Sequence, residues 1–185
     1  MAKVRNNIIT QGLSGSLGDQ IVFRSDKAGR TIVAAKPAFS SDREFNAAQL
    51  TQQEAFRRAI TYAKSAKDEV IYISKAQGTA LSAFNVAVAD WFNKPEILEI
   101  DASGWTGEIG QKIRVKAQDE IHVAKVHVVV GDADGVVFEQ GEAVRAEGLW
   151  WTYTTTALRS TTAAPRIVAT AHDLPGNNAE MALEN

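Results

Sequence analysis

The sequence predicts an α+β protein: an N-terminal β-hairpin arm and a short helical region, followed by an immunoglobulin-like antiparallel β-sandwich. Three observations lead there. From Ile113 to Leu183 apolar and polar residues alternate in short runs, with turn residues about ten positions apart, as in half-buried strands. In the middle of the chain the apolar spacing changes to three and four, the helical period. Near the N-terminus two β-prone runs flank a short loop that ends in glycine. The expected domains are 1–45 for the extended arm with its hairpin, 46–94 for the helical region and 95–185 for the sandwich.

Taking the arm first, Gly12-Leu13-Ser14-Gly15-Ser16-Leu17-Gly18-Asp19 spaces its glycines three apart and reads as a loop. Neither phosphate-binding glycine spacing is met, and no Lys-Ser/Thr pair closes such a motif, so nucleotide binding is not expected here. Ile21-Val22-Phe23 and Thr31-Ile32-Val33, joined by Ser25-Asp26-Lys27-Ala28-Gly29, read as a hairpin. A lone hairpin is marginal in water, so it must pack on helices or on another subunit.

Pro37 and Ser40-Ser41-Asp42 break the pattern before the helices. Thr51-Gln52-Gln53-Glu54 fits a capping box and predicts a helix start, with Phe56, Ala59, Ile60 and Ala63 as one buried stripe. A second helix is expected over about Asp68 to Gln77, ended by Gly78. A third is expected from Leu81 to Phe92, stopping before Pro95, with Phe84, Val88, Trp91 and Phe92 in the core.

Beyond Pro95, Ile113, Val115 and Ala117 alternate with Lys112, Arg114 and Lys116. Ala124, Val126, Val128 and Val130 are expected inward, and Lys125 and His127 outward. Asp132-Ala133-Asp134-Gly135 is a strong hairpin signal leading into Val136-Val137-Phe138. Trp151, Tyr153 and Thr155 share one face, as do Ile167, Ala169 and Ala171, and Ala179, Met181 and Leu183 close the chain. Six or seven such strands describe an immunoglobulin-like sandwich.

Composition narrows the function classes. With 185 residues, 45% of them hydrophobic, the chain can bury one good core or two small ones, and its lack of cysteine excludes disulfides and thiolate metal sites. The N-terminus has no apolar run of signal-peptide length, and no window reaches the roughly 18 apolar residues of a membrane span. A soluble protein is expected, cytoplasmic or part of an assembled particle. Residues 1–94 hold 13 Lys/Arg against 8 Asp/Glu, and residues 95–185 hold 7 against 14. This polarity fits a nucleic-acid-facing half, a head-to-tail contact between identical subunits, or two solvated surfaces that merely differ.

No residue pattern marks a catalytic centre, a cofactor or a metal, and a non-enzymatic protein is expected. Asp132 and Asp134 have the spacing of oxygen ligands for calcium, but the remaining positions of a calcium loop do not match, which favours a plain turn. His122, His127 and His172 could gather around zinc or serve a hydrolase, but no second ligand or nucleophile is placed by spacing, and His127 and His172, on the polar faces of their strands, read as solvated histidines. On their strand, Trp151 and Tyr153 point inward, which leaves Trp150 outward as an interface anchor rather than a stacking platform. Nucleic-acid binding would rest on Lys3, Arg5, Arg24, Lys27, Arg30, Lys36, Arg57 and Arg58, which are scattered without interleaved aromatics.

Several motifs form a set: Ser14-Gly15-Ser16-Leu17-Gly18, Val22-Phe23-Arg24, Gly29-Arg30-Thr31-Ile32-Val33, Lys36-Pro37, Ala59 with Tyr62-Ala63-Lys64, and Ala83 to Asp90, then Asp134-Gly135, Trp150-Trp151-Thr152-Tyr153 and Asp173-Leu174-Pro175-Gly176-Asn177. With these the chain resembles a family of uncharacterised bacterial proteins with an N-terminal glycine-rich hairpin, a helical middle and an immunoglobulin-like end. The resemblance implies architecture and no activity. The expected function is a structural or assembly protein whose arm contacts neighbouring subunits in a repeated particle, filament or phage-like assembly, through Val22, Phe23, Arg24, Arg30, Ile32 and Trp150. The alternatives are a binding module whose loops at Asp119-Glu120, Asp132 to Gly135 and Leu174 to Asn177 take a carbohydrate or protein ligand, and nucleic-acid binding by the N-terminal half.

Overall fold

Three antiparallel four-stranded sheets and three helices make up the described part of the computed structural model, residues 2–4, 10, 12–26, 29–39, 44–158 and 165–184. The fold is mixed α+β, and the chain divides into two units, Met1–Ala87 and Val88–Asn185.

The N-terminal unit opens with β1 (Ala2–Val4), β2 (Gly15–Leu17), β3 (Ile21–Ser25) and β4 (Thr31–Ala35), in the order β1-β4-β3-β2. The expected hairpin is β3–β4, with Arg24 opposite Ile32 and Phe23 opposite Val33. The arm is larger than a hairpin, however. The glycine-rich stretch read as a loop contains β2, and the first residues supply β1. Three-residue strands are too short to show alternation, which is why neither left a pattern.

Helix α1 (Ala47–Ala66) begins five residues before the expected capping box. Asn46 Oδ1 accepts from the Gln49 N–H at 2.8 Å, and Gln49 Oε1 accepts from the Asn46 N–H at 3.1 Å, a reciprocal cap built from two amides. Thr51 lies inside the helix and donates back to Ala47 O at 3.0 Å. The buried face is Ala59, Ala63 and Ala66, small residues that permit close approach, while Phe56, placed by sequence in the buried stripe, is about half exposed. Helix α2 (Val70–Ala76) buries Tyr72, whose hydroxyl lies 2.6 Å from that of Tyr62. Gly78, at φ 73°, takes the left-handed position after α2 that a side chain would resist.

Helix α3 (Ala83–Phe92) crosses the boundary between the units. Its buried residues are Val86, Ala87 and Asp90. The expected aromatic stripe is not its core: Phe92 is exposed, and Phe84, Val88 and Trp91 are half-buried.

The C-terminal unit continues with β5 (Glu96–Asp101), β6 (Lys112–Gln118), β7 (Val123–Asp132), β8 (Val137–Glu142), β9 (Val144–Arg145), β10 (Trp150–Thr154), β11 (Pro165–Asp173) and β12 (Asn178–Glu184). One sheet has the order β5-β6-β10-β9 and the other β12-β11-β7-β8. Both line one core, to which β6 gives Ile113, Val115 and Ala117, β7 gives Val126, Val128 and Val130, β10 gives Trp151 and Tyr153, and β11 gives Ile167, Ala169 and Ala171. The alternation read from the sequence holds in these strands with one shift. At the start of β7 the inward residue is Val123, and Ala124 is exposed, because the register with β11 slips between His172 and Asp173 and bulges the strand. Between β8 and β9 the chain passes from one sheet to the other over the single buried residue Ala143, whose N–H donates to Val126 O at 2.8 Å.

Candidate interaction surfaces

In the arm, cross-strand register divides the expected contact residues between two faces. Val22, Arg24 and Ile32 lie on one, and Phe23, with Ile21, Val33 and Leu17, lies on the other. Arg30 serves the β3–β4 turn itself: its N–H and Nε both donate to the Asp26 carboxylate, at 2.9 and 2.5 Å. Lys36 similarly reaches Asp19 at 2.7 Å, and in α1 Arg57 and Arg58 flank Glu54. Four of the cations counted toward nucleic acid are therefore committed to carboxylates. Within residues 12–26 and 29–39 only Thr31 is buried, whereas Leu17 and Phe39 are 63% and 73% exposed. The sheet ends in β1 on one side and β2 on the other. On α1, Phe45, Gln49, Gln52, Gln53 and Phe56 line a groove of about 340 Å³.

Trp150 faces outward from β10, as expected. The Arg114 guanidinium lies 4.3 Å from its ring centroid and the Lys116 ammonium 5.8 Å, so cations already occupy the indole face. Arg114 also faces Asp101 at 3.9 Å. The Asp101 carboxyl is held below its ordinary 3.8, chiefly by hydrogen bonds from the Ser103 hydroxyl and N–H, with the Arg114 charge assisting against partial burial.

The loops proposed for ligand binding do not share one site. At one end of the unit Asp119 accepts from the Glu120 and His122 N–H groups, and Asn93 donates to Glu120. Asn177 binds the carbonyls of Trp91 and Asn93 at 3.2 and 3.0 Å, as well as Asp173 Oδ2 at 2.7 Å. Asp173 also takes the Gly176 and Asn177 N–H groups on Oδ1. Burial raises its carboxyl above the ordinary 3.8, and the nearby Asp119 charge adds to the rise, against these hydrogen bonds. Lys94, Glu96, Gln118, Asp119 and Glu120 line a cavity of about 310 Å³ at this end.

The turn from Asp132 to Gly135 sits at the other end of the ten-residue strand β7. There Asp132 Oδ1 accepts from the N–H groups of Asp134 and Val136 at 3.1 and 2.9 Å, an Asx-type turn in which Gly135 takes φ 89°. That carboxylate is spent on its own backbone, and no cluster of three metal-ligating side chains occurs among the described residues. His127 and His172 lie on neighbouring strands of one outer face, opposite Thr170 and Lys125 respectively.

One polar cluster escaped the sequence reading. Glu139 Oε2 accepts from the Tyr153 hydroxyl at 2.9 Å and from the Thr156 N–H and hydroxyl at 2.6 and 2.9 Å. Burial first, and then the Glu139 carboxylate, push the Tyr153 phenol above its ordinary 10.0. Gly141 makes room for this ring: a Cβ there would lie 2.9 Å from Tyr153 Cε2. A glycine within a strand was the only available signal.

No family model and no curated protein matches the chain. Among solved structures, a crystal structure of an engineered protein is similar over 55% of this chain and 25% of its own length, at 20% identity and a TM-score of 0.35. No helix among the described residues is long and apolar enough to cross a membrane.

Proposed function

We propose that this chain is a non-enzymatic structural or assembly protein, in which an immunoglobulin-like sandwich carries an arm that contacts neighbouring subunits in a particle, filament or phage-like array. Strand order supports the sandwich. Lettered A, B, C, C′, D, E, F and G in chain order, β5 to β12 pair as A-B-E-D and G-F-C-C′, the arrangement of immunoglobulin-type domains.

The observation that carries the assembly reading is the arm's want of an enclosed core. A four-stranded sheet with apolar residues on both faces, Thr31 alone buried in strands β2 to β4, and Leu17 exposed at an edge gains stability by covering those faces and edges with another chain. Light scattering of the full chain over protein and salt concentration tests this: association that Leu17→Glu weakens is expected, and a strict monomer at every concentration overturns it.

A second reading, a binding module, draws on the cavity lined by Lys94, Glu96, Gln118, Asp119 and Glu120, to which one of the proposed loops contributes. Its ligand would be a carbohydrate or a protein. A glycan array and a pull-down that both return nothing would remove it.

A further inference from the structure

We infer that the end of the C-terminal unit bearing Ile109, Val136, Val137 and Leu158 docks on the arm of a second copy of this chain. The inference rests on the assembly reading and names the two surfaces that would meet.

Three segments converge at this end. The Thr155 hydroxyl donates to Glu108 O at 2.7 Å, and the Gly110 N–H donates to Thr155 O at 2.8 Å. Thr156 binds Glu139, two residues beyond Val137 in β8 and separated from it by a bulge. Residues 108–110, 136–139 and 155–158 are thereby tied together. The four apolar side chains, each more than half exposed, stand on a hydrogen-bonded base. Singly exposed apolar residues are ordinary, but a group gathered on a braced surface marks a contact site.

Charge selects the occupant. The apolar group is accompanied by Glu108, Asp132, Asp134, Glu139 and Glu184 against Lys112 and Arg166, and with Arg159, which follows Leu158 in the sequence, counted as well this end is still net acidic. Residues 1–39 hold 6 Lys/Arg against 2 Asp/Glu, and both acids pair within the arm, Asp19 with Lys36 and Asp26 with Arg30. The arm is thus net basic, and Leu13 and Leu17 are exposed in it. Two copies of the acidic end would repel each other, whereas an end facing an arm is attractive. Such a contact joins unlike surfaces and repeats from copy to copy, closing into a ring or extending as a filament.

The test is light scattering of the full-length chain at low and high salt, with circular dichroism to establish that each variant is folded. The double variant Ile109→Lys/Val137→Lys should weaken association at least about tenfold, and Leu17→Glu should do the same. Asp134→Lys should weaken it at low salt and little at high salt, where screening has already removed the charge contribution. If the wild type associates and the double variant associates equally, the end patch is not the contact and the inference falls while assembly stands. Loss in the double variant with no effect of Leu17→Glu overturns the arm as its partner. A wild type that stays monomeric overturns both.

Discussion

The Tyr153 hydroxyl donates to Glu139 across 2.9 Å, joining a buried residue of β10 to the edge strand β8 of the other sheet. Removing that donor in Tyr153→Phe leaves Glu139 with its two Thr156 donors, so the loss should be modest, about 1–2 kcal/mol in urea denaturation. Gly141→Ala drives a methyl into the Tyr153 ring and should cost roughly 1–3 kcal/mol. Combining Gly141→Ala with Tyr153→Leu should relieve part of that cost. A neutral Gly141→Ala would show that the ring is free to move.

The start of α1 gives a paired prediction. Asn46→Ala should destabilise the protein by about 1 kcal/mol, because the Gln49 backbone N–H loses its side-chain acceptor. Thr51→Ala should be neutral or slightly stabilising, since this threonine only bonds back into its own helix. Thermal melting of the two variants decides between the two cap positions.

Two aspartates shape the acid limb in opposite senses. Asp173 has a raised carboxyl pKa, so the native state holds this proton where the unfolded chain has released it. Its contribution to stability therefore falls as pH rises above 3.8 through the native value. Asp101 has a lowered pKa, so its contribution is present above 3.8 and is lost as pH falls through the native value. Melting temperatures from about pH 3 to about pH 7 should lose part of the decline above pH ~4 in Asp173→Asn, and part of the loss below pH ~4 in Asp101→Asn. Unchanged slopes in both variants would refute the assignment.

At the β7–β8 turn, Asp132→Ala should cost about 1–2 kcal/mol by leaving two turn N–H groups without their acceptor, whereas Asp132→Asn keeps an amide oxygen there and should lose less. Millimolar calcium should leave the melting temperature unchanged. A calcium-dependent rise absent from Asp132→Asn would restore the metal reading.

The strands of the C-terminal unit were legible because a core on one side enforces a two-residue period, visible in Ile113-Val115-Ala117 and Ile167-Ala169-Ala171. What escaped lacks a period. β9 has two residues and β2 three, and the bulge that exchanges Val123 for Ala124 depends on pairing with β11 rather than on local residues. The start of α1 was misplaced because Thr51 and Glu54 satisfy the capping pattern more conventionally than Asn46 and Gln49, although the latter pair forms the bonds. Phe56 fits a helical stripe by spacing, but the buried face is set by Ala59, Ala63 and Ala66. Among the expected contact residues, Trp150 was correctly pointed outward. The commitment of Arg30 to Asp26 depends on how the β3–β4 turn closes and is invisible in a list of residue types.

The one-residue passage at Ala143 determines where this chain can be lengthened. Adding a residue there would displace a buried alanine or slip β9 by one position and turn its side chains over, so an inserted epitope or label should be rejected between Glu142 and Val144. The turn at Ser103-Gly104, exposed and between strands, has only local hydrogen bonds to lose, those of Ser103 to Asp101 and of the Trp105 N–H to Ala102 O, and offers the more permissive position for a tag or a grafted domain.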